Sequence, residues 1–208
     1  LFVTLNIPGG SNNDDDNWFD TASKTGEQIQ EIAQRSNADL RWIDVAFGQA
    51  EAHGDKAVVI MVQADMWDLD GKDVSHISNY NPFIDRIATR SLAFGKPVLL
   101  INGDSHYYRS DNPLQQGQPC YMEQKPTGGV VGSCATSSVN ISDPSGDAWV
   151  NHPNNLANVA YDVPNFHRLV VHGSTFPLQY LRLTVDPRAS NAPTANSFGP
   201  FTWESVAP

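Results

Sequence analysis

The chain has 208 residues, enough for one domain with a sizeable core, and its 40% hydrophobic and 17% charged content excludes a disordered polymer. Its formal net charge is -10, with Lys and Arg scattered, so the phosphate backbone of a nucleic acid would be repelled and DNA and RNA are discounted as partners. No apolar run approaches the ~20 residues needed to cross a bilayer, which argues against a membrane-spanning protein.

In chain order, Leu1-Phe2-Val3-Thr4-Leu5 is apolar and β-branched and is stopped by Pro8-Gly9-Gly10, which predicts a buried strand. That strand starts at the first residue, without an initiator Met or a signal peptide, and so predicts a processed product or a piece of a longer protein. A polar loop follows. From about Gly26 to His53 the pattern is helical, with Leu40, Ile43, Phe47 and Ala50 at helical spacing and Trp42 and Ala46 widening the apolar face. Asn37 is a candidate cap and Gly54 a natural stop; whether residues 27–35 form a separate helix stays open.

Ala57-Val58-Val59-Ile60-Met61-Val62 is a continuous apolar run, as expected of a strand covered on both faces, and it exits at Gln63-Ala64-Asp65. A second helix is predicted from Asn81 as cap and Pro82 at its first position, turning Phe83, Ile84, Ile87, Ala88 and Leu92 inward and ending at Gly95. Pro97-Val98-Leu99-Leu100-Ile101 is the next buried strand and runs directly into Asn102-Gly103-Asp104-Ser105-His106. Strand, helix, strand, helix, strand is an α/β signature. Residues 109–163 are Gly- and Pro-rich and lack periodicity, so they are expected to form a long irregular insertion in a single domain spanning 1–208. Residues 168–171, 178–185 and 198–205 read as strands joined by turns, with antiparallel pairing expected.

The insertion holds both cysteines, Cys120 and Cys134. A bridge between them would close a loop of about 15 residues and contribute roughly 3 kcal/mol in the chain-entropy model. With the sequon Asn140-Ile141-Ser142, this suits an extracellular or periplasmic protein.

Three strands exit into polar residues able to meet a metal or a substrate: Leu1 to Leu5 at Asn6, with Asn12 and Asn13 beyond; the second at Gln63 and Asp65; the third at Asp104 and His106. Ligands of open α/β sheets bind at the carboxyl ends of strands, because the loops there converge on a crevice. An imidazole and a carboxylate are good ligands for first-row divalent metals, and Gly103 permits the sharp turn that aims them outward.

Leu40-Arg41-Trp42-Ile43-Asp44 on the first helix, Gln63-Ala64-Asp65 at a strand end, and Gly103-Asp104-Ser105-His106 followed by Tyr107-Tyr108 occur in an order that resembles the calcineurin-like metallophosphoesterases. In that family the second half carries Leu-x-Trp or Trp-Leu, a strand-end His and a Gly-His-x-His motif. His167 to Arg182, with Gly173-Ser174 at its centre, resembles the closing hairpin. The resemblance covers about residues 1–187. It implies a layered αββα sandwich whose N-terminal part is missing, and metal-assisted hydrolysis of phosphate mono- or diesters with divalent Zn, Mn or Fe. His106 would be a metal ligand; Asp104 and Gln63, with Asp65 as alternate, would be altered ligands or would orient water and substrate.

The departures bear on activity. Gln63 (or Asp65) and Asp104 stand where the family has His, and the chain has no Asp-x-His, Gly-Asp-x-x-Asp or Gly-Asn-His. Two ions ~3.5–4 Å apart would not be held by one His, one Asp and an amide. The chain is therefore expected to be incomplete on its own, its N-terminal half residing on a second chain; the alternative is a non-catalytic secreted interaction or structural domain that kept the fold.

Other clusters read more plainly. Asp68-Leu69-Asp70-Gly71-Lys72-Asp73 is an acidic turn without EF-hand spacing, and Asp14-Asp15-Asp16 is a solvated loop. His172 either approaches the site or is structural, while His53, His76 and His152 have no recognisable partner spacing. Gly-x-Ser-x-Gly, Walker and Gly-x-Gly-x-x-Gly motifs are absent, so serine hydrolase, nucleotide hydrolase and dinucleotide oxidoreductase readings have no support.

Overall fold

The computed structural model describes residues 1–10, 16–18, 22–68, 74–115, 117–125, 130–137, 161–172 and 179–206. Asn12, Asn13, Asp14, Asp15, Asp70 to Asp73, Asn140, His152 and Gly173-Ser174 lie outside the described residues.

Strands β1 (Phe2–Thr4), β2 (Val58–Met61), β3 (Val98–Asn102) and β7 (Phe166–Val170) run parallel and adjacent in that order. The same sheet continues through β4 (Arg109–Asp111), β5 (Tyr121–Glu123) and β6 (Val131–Ser133), all antiparallel to their neighbours. A second sheet has the order β8 (Tyr180–Val185), β10 (Phe201–Val206), β9 (Ser197–Phe198).

Each helix owes its bounds to local chemistry. Helix α1 spans Gly26–His53 without a break. Its cap is Thr25, whose hydroxyl accepts from the Gln28 N–H while the Gln28 side chain accepts from the Thr25 N–H, so the expected cap at Asn37 is instead a residue inside one long helix. Gly54 ends it at φ 68°, a left-handed conformation that glycine adopts without a Cβ penalty. Helix α2 (Asn81–Phe94) has Pro in its first turn, but Tyr80 occupies the cap position and Asn81 lies inside. Its inward face is Phe83, Ile84, Ile87, Ala88, Ser91 and Phe94, whereas Leu92 is 56% exposed. Trp42 likewise lies 48% exposed on α1, because the core-facing stripe there is Ile43, Ala46, Phe47 and Ala50.

The molecule is layered. Both helices cover one face of the large sheet, where Val58, Ile60, Val98 and Leu100 pack with Phe47, Phe83, Ile84 and Ile87. The small sheet covers the other face, where Val59, Leu99 and Leu169 meet Phe198, Phe201 and Trp203. Successive side chains of a strand point to opposite faces, so a strand with two covered faces needs an unbroken apolar run, as β2 and β3 have. The general α/β class is as expected. The described residues make three layers, α/β/β, with no helix on the outer face of the small sheet.

Three further expectations change. β1 is an edge strand, with Val3 buried and Phe2 58% exposed. The described part of 109–163 holds three short strands, β4, β5 and β6, that widen the sheet and are too short to leave a period in the sequence. The residues resembling a closing hairpin do not pair with each other, since β7 lies between β3 and β4 while β8 pairs with β10. Cys120 and Cys134 form a disulfide at the β5–β6 hairpin, where the Cys134 N–H also donates to the Cys120 carbonyl at 3.0 Å. Among the described residues no helix is long and apolar enough to cross a membrane.

Candidate functional site

The carboxyl ends of β1, β2 and β3 converge, as parallel neighbours must. Their loops are stitched together by backbone bonds: the Ala64 N–H donates to the Ile7 carbonyl at 3.1 Å, and the Gly103 N–H to the Gln63 carbonyl at 3.2 Å. Side chains then join all three exits. The Gln63 amide nitrogen donates to Asp104 Oδ1 at 3.0 Å, the Asp65 backbone N–H donates to Asp104 Oδ2 at 3.2 Å, and the Gly9 N–H donates to Gln63 Oε1. Ser105 Oγ donates to Asp65 Oδ2 at 2.7 Å.

The turn itself is strained. Asp104 has φ 80° and His106 φ 62°, the only described non-glycine residues with positive φ. Such conformations persist where the surroundings over-determine them, and they concentrate at functional sites. Burial pushes the Asp104 carboxyl above the usual carboxylate range; hydrogen bonds from Asp65 and Gln63 oppose this, and the carboxylates of Asp65 and Asp68 add to it.

Gly9 belongs to the same cluster by necessity. A Cβ there would lie 1.9 Å from Asp104 Oδ2, far inside contact distance. Gly9→Ala is therefore expected to push the Asp104 carboxyl off Gln63 and Asp65 and to cost about 1–3 kcal/mol. Urea unfolding should show a lower midpoint at unchanged slope; a wild-type midpoint would mean that Gly9 and Asp104 are not packed together.

These exits wall a cleft of about 270 Å³ into which Asp104, Ser105 and the exposed His106 open. Asp16, Asp65, Asp68, His76 and Tyr80 line the rest. His76 and Tyr80 arrive on a short 3₁₀ segment, Val74–Tyr80, and Tyr80 Oη donates to the Pro8 carbonyl at 3.2 Å. Neither residue stood out in the sequence, where the only available signal was a polar segment just before α2. Asn6 does not line this cleft; its backbone N–H donates to Asp39 Oδ1 at 3.1 Å, tying the end of β1 to α1.

Behind the cleft lies a fully buried charge network. Arg168 on β7 donates from Nη1 to Asp65 Oδ1 at 2.7 Å, and grips Asp111 through Nε at 2.9 Å and Nη2 at 2.8 Å. Arg109 Nε donates to Asp111 Oδ2 at 2.8 Å, and the Arg168 guanidinium lies 5.1 Å from the Trp67 ring. Among the described residues two cations meet two carboxylates there, and such pairing makes burial of the charges tolerable. Burial alone would raise the Asp111 carboxyl, but Arg168 and Arg109 outweigh it and hold the group below its ordinary value. Sequence reasoning missed this network because Asp111 lies in the stretch 109–163, read as irregular, and Arg168 opens a predicted strand 57 residues further on.

His172 lies away from the cleft. Its Nδ1 is 2.5 Å from Glu123 Oε1, and its ring stacks on Tyr108 at 5.1 Å between centroids.

A divalent ion needs several donors free to turn toward it. His106 offers one imidazole to the cleft, but the Gln63 carbonyl oxygen already accepts from Gly9, and both Asp104 oxygens accept hydrogen bonds. Among the described residues no group of three or more His, Cys, Asp or Glu could hold a metal ion. The described residues thus fit a single ligand position and not a complete metal cage.

Comparison with family models, with curated proteins and with solved structures found no match to this chain.

Proposed function

We propose that this chain is part of a metal-dependent phosphoesterase that hydrolyses phosphate mono- or diesters, and that it is incomplete by itself. One observation carries the reading: three parallel strand exits are bonded into one acidic cleft that presents His106 and Asp104 on a strained turn. Divalent Zn, Mn or Fe, when bound in such a site, supplies an activated water and stabilises phosphoryl oxygens. In this reading His106 is a metal ligand. Asp104 and Gln63 orient the turn and the groups around it, since each is already hydrogen-bonded to the other and to a neighbouring backbone N–H.

The remaining donors come from a second chain carrying the N-terminal half. The exposed edges suit such a partner: Phe2 on β1 and Val185 on β8 are 58% and 41% exposed, and both line one groove between the two sheets. A disulfide is compatible with an extracellular or periplasmic location.

A specific observation favours the rival reading, a non-catalytic interaction domain. Gln63 and Asp104 satisfy one another, and the described residues hold no metal-binding group. Native material decides between the two. It should be purified with any chain that accompanies it, assayed for metal, and tested on a generic phosphodiester with Mn²⁺ or Zn²⁺. Turnover that is lost in His106→Ala, in the presence of a chain bearing Asp-x-His and Gly-Asn-His, is the expected result. Absence of both metal and turnover with every native chain present would establish the binding-domain reading instead.

A further inference from the structure

The turn at Asp104 and His106 holds an unfavourable backbone, with φ 80° and 62°. Gln63 holds one Asp104 oxygen, and Asp65 adds two restraints: it takes the Ser105 hydroxyl on one carboxylate oxygen and offers its N–H to Asp104. Asp65 in turn is fixed by two donors on its other oxygen, the Trp67 N–H at 3.1 Å and Arg168 Nη1 at 2.7 Å. Arg168 cannot swing away, because Asp111 holds the opposite side of its guanidinium with two parallel bonds and every member is fully buried.

We propose that Arg168 is a positioning residue for the site turn, acting on His106 and Asp104 through Asp65 and Ser105. The planar fork matters: it can meet Asp65 and Asp111 at once, which a lysine ammonium on a flexible stem cannot do in the same geometry. β7 is thereby coupled to the end of β3 through side chains, in addition to the backbone ladder the two strands share. As regards catalysis, the inference rests on the phosphoesterase reading; as regards the geometry of the turn, it does not.

The test is amide hydrogen exchange on the folded chain, with Ser105→Ala, Ser105→Thr, Arg168→Lys and the Ser105→Ala/Arg168→Lys double variant. Loss of one charge-assisted bond predicts about tenfold faster exchange at Asp65, Gly103 and Ser105 in Ser105→Ala, with Leu99 and Leu100 in β3 unchanged. Ser105→Thr keeps the hydroxyl and should restore protection. Arg168→Lys should loosen the same three amides, and the double variant should add nothing, because both changes cut one chain of contacts. Equal protection in wild type and Ser105→Ala overturns the proposal, as do additive effects of the two changes. If Arg168→Lys does not fold by circular dichroism, Asp111→Asn, which weakens the grip on the far side of the Arg168 fork, takes its place: faster exchange at the same three amides supports the proposal and wild-type protection there overturns it. Where the native assembly turns over a phosphodiester, Ser105→Ala should lower kcat at unchanged KM and Ser105→Thr should recover it. An assembly without turnover removes the phosphoesterase reading and leaves the exchange result standing.

Discussion

Asp111→Ala is expected to destabilise the protein by about 3–5 kcal/mol, because it strips the shared partner from two guanidinium groups that have no access to water. At this chain length the melting temperature should fall by roughly 10 °C. Burial sets the size of the effect. Arg182 and Glu204 also form a short ion pair, at 2.6 Å, but both side chains are 58% exposed, so Glu204→Ala should change stability little. The comparison is made by urea unfolding of both variants at pH 7. An Asp111→Ala midpoint no lower than that of Glu204→Ala would show that the network contributes nothing to the fold.

The second large effect is a loss of stability on mild acidification, centred on His167. This side chain is 1% exposed, its ring stacked on Phe198 at 5.0 Å and tilted against Trp203 at 5.8 Å. Ser110 Oγ donates to the Thr194 carbonyl at 2.9 Å, so the contact between Ser110 Oγ and His167 Nε2 at 2.8 Å has the imidazole as donor. The neutral ring then carries its proton on Nε2, and a second proton would go to Nδ1, a buried nitrogen without an acceptor among the described residues. Burial, with a smaller contribution from Arg168 and against the pull of Asp111, lowers the pKa from 6.5 to about 4.

The sign follows from proton counting. Between pH 6.5 and about 4 the unfolded chain takes up a proton that the folded chain refuses. Stability is therefore complete above 6.5 and falls as the pH is lowered to about 4, by about 3 kcal/mol. Asp111 acts in a separate window. Its folded pKa lies below 3.8, so the stability it provides is present above that value and is lost as the pH falls through the folded pKa. Urea unfolding at pH 7, 5.5 and 4 should show the first slope in wild type, and His167→Phe should reduce it by about one proton. An unchanged slope in His167→Phe would mean that other groups carry the acid sensitivity.

The interior strands and the helices were legible in the sequence because both are written in short-range patterns. Val58 to Met61 and Val98 to Ile101 need apolar residues at every position when two faces are covered, and α1 and α2 carry their stops, Gly54 and Gly95, one residue past their last turn. Leu92 and Trp42 show the limit of that pattern: both are apolar and sit near a core-facing stripe, but they lie outside the buried set of their helices and stay 56% and 48% exposed. The small strands β4, β5 and β6 have three residues each, too few for any period, and exist because β7 offers an edge and a disulfide closes the last hairpin.

By itself, the sequence determined that Gln63, Asp65, Asp104 and His106 leave the ends of buried strands, because strand patterning and glycine punctuation are local properties of the chain. Only the tertiary structure decided what those residues do to one another. Parallel pairing brings Gly9, Gln63 and Asp104 into contact across separations that no spacing rule spans, and insertion of β7 beside β3 delivers Arg168 to Asp65 from 103 residues away. Long-range side-chain contacts depend on strand order and register, and those are settled by how the described helices and the small sheet pack on the two faces of the large sheet.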